Sequence, residues 1–178
     1  DLHETDHGER PLTRQPRPEA IVIGASSGGL DALAELLGRL PTDLTMPILV
    51  VQHVHPRQGT APIEFLGRRC GLRVKEAEDK EAIQPGSVYL APPGYHMLVE
   101  RTHTIALSVD GRVNWARPSI DVLFDSAVDA WGPALVGLIL TGANDDGARG
   151  HRRIADRGGL TLVQTPESAR SPEMPLAA

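Results

Sequence analysis

Residues 21–37 read Ile-Val-Ile-Gly-Ala-Ser-Ser-Gly-Gly-Leu-Asp-Ala-Leu-Ala-Glu-Leu-Leu: an apolar β-branched run, a glycine-rich turn and an amphipathic segment with no break between them. That order is accommodated as strand, tight turn and helix. Leu30, Leu33, Ala34 and Leu37 recur at helical spacing, and Gly28 and Gly29 let the backbone turn sharply where the helix starts. Ser26 is thereby lifted to the carboxyl end of a buried strand, beside helix N–H groups that favour negative charge.

The remaining chain repeats this alternation. A second apolar strand is predicted over 48–53, ending in Gln52 and His53. A helix over 62–69 is stopped by Gly71, and strands follow over 72–77 and 87–91. Residues 95–100 and 104–109 each alternate polar and apolar across the link Arg101-Thr-His103, which predicts an antiparallel pair. A helix is predicted over 118–131, with Ile120, Leu123, Phe124 and Val128 on one face and Ser119 as its cap. Residues 134–140 are continuously apolar, as a strand covered on both faces must be. A loop over 141–147, a helix to Arg157 and a last strand over 160–164 complete the series.

Strands and helices in this order imply right-handed crossovers and an α/β fold: a doubly wound, mostly parallel sheet with helices on both faces and an antiparallel hairpin excursion. Residues 1–18 are polar, carry arginine and proline and follow neither periodicity, so they are expected to form a flexible tail or interdomain linker ahead of one domain over 19–178.

Charge and cysteine usage remove several function classes. A net charge of -5 without any Lys/Arg block argues against nucleic acid or an anionic membrane surface as partner. No apolar run approaches the roughly 18 residues that span a bilayer, and the N-terminus lacks a signal peptide's apolar core, so a cytoplasmic protein is expected. Cys70 is the single cysteine, which rules out a disulfide framework or thiolate metal site and leaves it as a core residue at a helix end.

In such a sheet three strand ends meet at one edge, carrying Ser26, His53 and the pair Asp145-Asp146. A serine hydroxyl is a weak nucleophile near neutral pH, so it needs an imidazole to take its proton and a carboxylate to orient that imidazole. His55 is a rival base but is held by Pro56 in a loop, and either aspartate also fits a helix-capping role. The order Ser, His, Asp matches none of the common hydrolase orders, so order alone implies no family.

The Gly-Ala-Ser-Ser-Gly string also resembles the cofactor loop of short-chain dehydrogenases. An NAD(P)-dependent oxidoreductase would need a Tyr-x-x-x-Lys pair, whereas Pro93 and Val99 stand four residues beyond the only tyrosines, Tyr89 and Tyr95. No His-x-x-x-His or helical His-Glu pair offers a metal site, so neither metal nor cofactor is expected.

From Ile21 onward the chain resembles the catalytic domain of the chemotaxis receptor protein-glutamate methylesterases, the CheB family. The resemblance rests on Ile-Gly-Ala-Ser-Ser-Gly-Gly at 23–29, Gln52-His53, Val-Lys-Glu-Ala-Glu-Asp at 74–79 and Tyr-Leu-Ala-Pro at 89–92. It continues through His96-Met97, Arg-Pro-Ser-Ile-Asp-Val-Leu-Phe at 117–124, Ile-Leu-Thr-Gly at 139–142, Asp146-Gly147 and Met174-Pro175. It implies a serine hydrolase with Ser26 as nucleophile, His53 as base and Asp146 as orienting acid, Asp145 falling at a variable position. Backbone N–H groups near Ser27 and Ala143 would hold the oxyanion, and substrate contacts are expected around His96 and Arg117.

The implied reaction is demethylation of glutamate methyl esters on the cytoplasmic helices of methyl-accepting chemoreceptors, releasing methanol, with deamidation of receptor glutamines as a further activity. A receiver domain in cis upstream of residue 1 would regulate it. The family has Gly-Met-Gly where this chain has Gly142-Ala143-Asn144, and that departure carries the rival reading of a catalytically impaired regulatory or binding module. A final helix is expected to begin near Pro175 and to be cut short at Ala178.

Overall fold

The first strand, β1 (Ala20–Ala25), leads into α1 (Gly29–Gly38), β2 (Ile48–Gln52), α2 (Ala61–Gly67), β3 (Arg73–Glu76) and β4 (Ser87–Leu90). A hairpin of β5 (His96–Val99) and β6 (Ile105–Ser108) intervenes before α3 (Ile120–Trp131), β7 (Leu135–Ile139), α4 (Ala148–Asp156), β8 (Leu160–Val163) and the short α5 (Glu173–Ala177). This is a computed structural model, describing Arg14 and residues 16–178; the tail expected over 1–18 falls mostly outside the described residues.

Alternation along the buried strands explains the layering. Successive residues of a strand point to opposite faces, and β1, β2 and β4 are buried almost throughout, so each face needs its own cover. Ile23, Val50 and Val88 meet Leu33 and Leu37 of α1 and Leu66 of α2 on one side. Val22, Leu49 and Tyr89 meet Ile120, Phe124 and Val128 of α3 and Ile154 of α4 on the other. Both layers are predominantly apolar, each fully buried large side chain contributing roughly 1.5–3 kcal/mol by leaving water.

The six-stranded sheet runs β3-β4-β2-β1-β7-β8, and every pairing in it is parallel. From central β1 the chain moves outward on one side to β2, then returns from β4 across to β7 on the other. β1 is therefore flanked by connections that leave in opposite directions, the topology that opens a crevice at carboxyl strand ends. The hairpin forms a separate two-stranded antiparallel sheet in register Val99↔Ile105, and its Met97, Val99 and Ile105 join the α3 side of the core.

The expected α/β architecture is observed, with local differences. Ser119 occupies the N-cap position of α3 but gives that helix no side-chain cap bond; its hydroxyl is used elsewhere, as described below. The last helix starts at Glu173, ahead of the expected Pro175. Short 3-10 turns at Pro56–Gln58, Gly132–Ala134 and Pro166–Ser168 have no sequence-level counterpart, each being opened by a proline in its first turn. Cys70 is buried just beyond α2, its sulfur accepting from Leu72 N–H. No helix among the described residues is long and apolar enough to cross a membrane.

Candidate active site

Ser26 follows the last residue of β1, and its backbone is fixed on three sides. Its N–H donates to Thr141 O (2.9 Å), while its carbonyl accepts from Gly29 N–H (2.8 Å) and from Gln52 Nε2 (2.8 Å). Gly28 then adopts φ 77 and Arg170 lies against its Cα, so a side chain there would meet both a disfavoured backbone and a filled space. Helix α1 begins without a side-chain cap, and its first N–H, that of Gly29, is the one that donates to the Ser26 carbonyl.

His53 directly follows β2. Its N–H donates to Ala25 O (3.0 Å), and Gln52 Nε2 donates to its carbonyl (3.0 Å) as well as to that of Ser26. Gln52 thus ties the nucleophile and base segments together from below. Ser26 and His53 line one cleft of about 350 Å³ with Ser27, Gln58 and Arg170. Ser26 is partly exposed, and its hydroxyl has no hydrogen-bond partner among the described residues.

Asp146 comes from the loop after β7 and is completely buried. Its Oδ2 faces His53 Nε2 at 2.8 Å and accepts from Ile120 N–H at 2.7 Å. Oδ1 accepts from Asn114 Nδ2 (2.8 Å), Ser119 Oγ (2.9 Å) and Asp121 N–H (3.3 Å). The carboxylate, rather than Ser119, therefore caps α3: the first N–H groups of that helix point at a charge supplied by a distant segment. Burial alone would raise the Asp146 pKa, but hydrogen bonds from His53, Asn114, Ile120 and Ser119 outweigh it and hold the carboxyl below its ordinary value.

The imidazole tautomer follows from these contacts. An ionised carboxylate only accepts, so His53 Nε2 carries the proton and Nδ1 presents its lone pair. Asn144 Oδ1 accepts from Asp146 N–H (3.0 Å), which turns its Nδ2 toward that lone pair at 3.4 Å. Asp145 is exposed and has no side-chain bond to His53. His55 is exposed, its Nδ1 accepting from Arg57 N–H at the head of a 3-10 turn.

The loop carrying Ala143 lies against Ser26, since a Cβ on Gly142 would stand 3.0 Å from Ser26 Cβ. Neither Ser27 N–H nor Ala143 N–H has an acceptor among the described residues. His96, in contrast, is 2% exposed and both ring nitrogens are engaged: Nε2 donates to Gly111 O and Nδ1 accepts from Ser119 N–H. It supports the segment around α3 and offers substrate no free polar atom. Arg117 borders a second cleft, but its Nη1 donates to the carbonyls of Val109 and Asp110.

Asn114, Gln52 and Arg170 had no place in the expected site. Asn114 is 32 positions from Asp146 in sequence, and nothing in its surroundings announces the contact. Among the described residues no group of three or more His, Cys, Asp or Glu side chains is gathered to hold a metal ion.

Comparison with known proteins gives a consistent result. Residues 21–178 match the family model described as CheB methylesterase. A Leptospira interrogans protein is 48% identical over 160 residues, covering 90% of this chain and 83% of that protein. An Archaeoglobus fulgidus protein-glutamate methylesterase/protein-glutamine glutaminase is 44% identical over 161 residues, covering 89% of this chain and 46% of that longer protein. The crystal structure of the Thermotoga maritima CheB methylesterase catalytic domain superposes with a TM-score of 0.86 at 31% identity, over 91% of this chain and 87% of that one.

Proposed function

The chain belongs to the CheB methylesterase family and is a carboxylic ester hydrolase, and on that premise we propose that Ser26, His53 and Asp146 are its catalytic triad. The observation that carries this reading is the 2.8 Å pair between His53 Nε2 and buried Asp146, with His53 itself lining the cleft that Ser26 lines.

The substrate is a glutamate γ-methyl ester on a receptor protein. Ser26 Oγ attacks the ester carbonyl while its proton passes to His53 Nδ1, the ring nitrogen that does not bond Asp146. The tetrahedral oxyanion is held by the N–H groups of Ser27 and Ala143. Collapse breaks the C–OCH3 bond, His53 returns the proton, and methanol leaves an acyl-Ser26 ester. Water, deprotonated by the same imidazole, then releases glutamate and free serine. A glutamine side chain would follow the same path with ammonia as leaving group, which accounts for a glutaminase activity on one site. Chemoreceptor helices are the proposed partners, and a receiver domain in cis is the proposed regulator.

Release of methanol from a methyl-esterified receptor fragment tests this. Ser26→Ala should remove turnover by roughly four or more orders of magnitude, and Ser27→Ala should retain most of it because only its backbone is used. Activity that survives Ser26→Ala would overturn Ser26 as the nucleophile, and no methanol from the wild-type protein would leave the chain as a non-catalytic module of the same fold.

A further inference from the structure

A second cleft, of about 330 Å³, adjoins the first at His53 and is bordered by Val54, Arg112, Trp115, Arg117 and Asn144. Trp115 is 94% exposed, the most exposed large apolar side chain among the described residues. Its backbone is as unusual as its setting. Val113 N–H donates to Ala116 O (3.0 Å) and Ala116 N–H to Val113 O (2.9 Å), closing a two-residue turn in which Asn114 has φ 52 and Trp115 φ 64. Two successive left-handed residues are the signature of a type I′ turn, whose second position favours glycine.

The strain at Asn114 is offset locally. Its Nδ2 donates both protons, to Asp121 Oδ2 (2.7 Å) and to Asp146 Oδ1 (2.8 Å), so the turn is anchored to the triad acid. Nothing comparable offsets Trp115. A bulky residue occupies a glycine-type backbone position, and its ring remains in water. A partner that covers the ring removes the second of these costs.

Charge identifies the occupant. The charged side chains bordering this cleft are guanidiniums, with no carboxylate, although the whole chain carries a net charge of -5. Arg112 is exposed and makes no salt bridge among the described residues. The two clefts share His53 and Val54, so a helical segment laid across both would set its neighbouring turn at the second cleft while its ester side chain enters the first. Residues three and four apart on a helix share a face, so that turn presents an alkyl stem and adjacent carboxylates together.

We propose that Trp115 and Arg112, displayed by the Val113–Ala116 turn, dock an acidic helical segment of the substrate protein next to the ester being cleaved. Trp115 packs on the alkyl surface one turn from the ester, and Arg112 pairs with a flanking glutamate. This inference rests on the methylesterase reading of the first cleft.

The test uses an acidic helical peptide with one glutamate methyl ester, compared with a free small methyl ester of glutamate. Trp115→Gly should lower the ratio of kcat/KM for peptide over free ester about tenfold, a size expected for losing an anchor aromatic, while raising Tm through relief of strain. Trp115→Phe should restore most of the ratio. Replacing the peptide's flanking glutamates by glutamine should lower it further in wild type and less in Arg112→Gln.

Binding is read independently of turnover in Ser26→Ala protein. Trp131 is only 8% exposed, so a fluorescence change on adding peptide should report Trp115. An unchanged substrate ratio in Trp115→Gly, a fall in its Tm, or no fluorescence response would overturn the docking role. Loss of esterase activity on both substrates in wild type, with the fluorescence response intact, would instead overturn the methylesterase reading and keep the docking one.

Discussion

Replacing Asp146 removes the acceptor for five donors at once: His53 Nε2, Ile120 N–H, Asn114 Nδ2, Ser119 Oγ and Asp121 N–H. Leaving such groups buried without partners is costly, so Asp146→Ala should lose roughly 2–4 kcal/mol of stability in urea unfolding at pH 7. Ser26→Ala, which touches no side-chain bond, should stay within about 0.5 kcal/mol of wild type. Acid should narrow the difference in a defined direction. The folded carboxyl is held below its ordinary value, so its stabilising contribution is complete above the unfolded pKa near 4 and fades as pH falls through the lower folded one. A gap between Asp146→Ala and wild type that stayed constant down to strongly acid pH would contradict the hydrogen-bond cage. At this scale sequence reading reached part of the way. Helix-capping chemistry made Asp145 and Asp146 equivalent candidates, and the choice between them came from the family resemblance. What separates them physically is burial, Asp146 being enclosed and Asp145 exposed. Asn114 stayed invisible because its turn carries tryptophan where glycine would have signalled the left-handed backbone.

Between elements, α4 is tied to the sheet by a buried histidine. His151 is 5% exposed, its Nε2 donates to Leu162 O of β8 at 3.0 Å, and a side chain at Gly137 of β7 would collide with its helix neighbour Ile154. Burial holds the imidazole below its ordinary pKa, although main-chain bonds, that to Leu162 foremost, pull the other way. A histidine depressed in the folded state contributes no penalty above the unfolded pKa near 6.5. Below that value the unfolded chain takes up protons first, so stability falls as pH drops toward the folded pKa. The wild-type Tm should therefore decline between about pH 7 and 5, each kcal/mol lost appearing as roughly 2–4 °C. His151→Gln keeps a donor at the reach of Nε2 without a titration in this range, so its Tm should decline less; an identical slope by calorimetry would refute the assignment. Elements themselves were readable where one periodicity dominated, as in α3, whose buried Ile120, Leu123, Phe124, Ala127, Val128 and Trp131 follow the helical repeat. Ser119 misled because a serine before a helix signals a cap, whereas here a tertiary carboxylate takes over that task and the hydroxyl bonds to it.

For the molecule as a whole, the sheet edge that gathers Ser26, His53 and the β7 loop was legible from chain order, because parallel strands joined by helices put all carboxyl ends on one side. Its electrostatic character was not, since a net charge of -5 averages over residues that the fold then sorts, placing Arg112 and Arg117 at the second cleft and Arg170 with Asp31 at the first. These two scales of charge act oppositely on an acidic substrate helix. At about 0.01 M salt the Debye length is about 30 Å, so the substrate feels the whole negative molecule and is repelled; near 0.1 M it is about 10 Å, which screens that repulsion but spares contacts within the cleft. At about 1 M the length is about 3 Å and the local guanidinium pairs weaken too. The kcat/KM for an acidic peptide ester should thus pass through a maximum as salt is raised, while that of an uncharged free ester stays flat. Steady-state methanol release across this range decides it. A monotonic fall from the lowest salt would mean that the arginine cluster steers substrate over long distances despite the net charge, and a flat response would mean that recognition uses no charge.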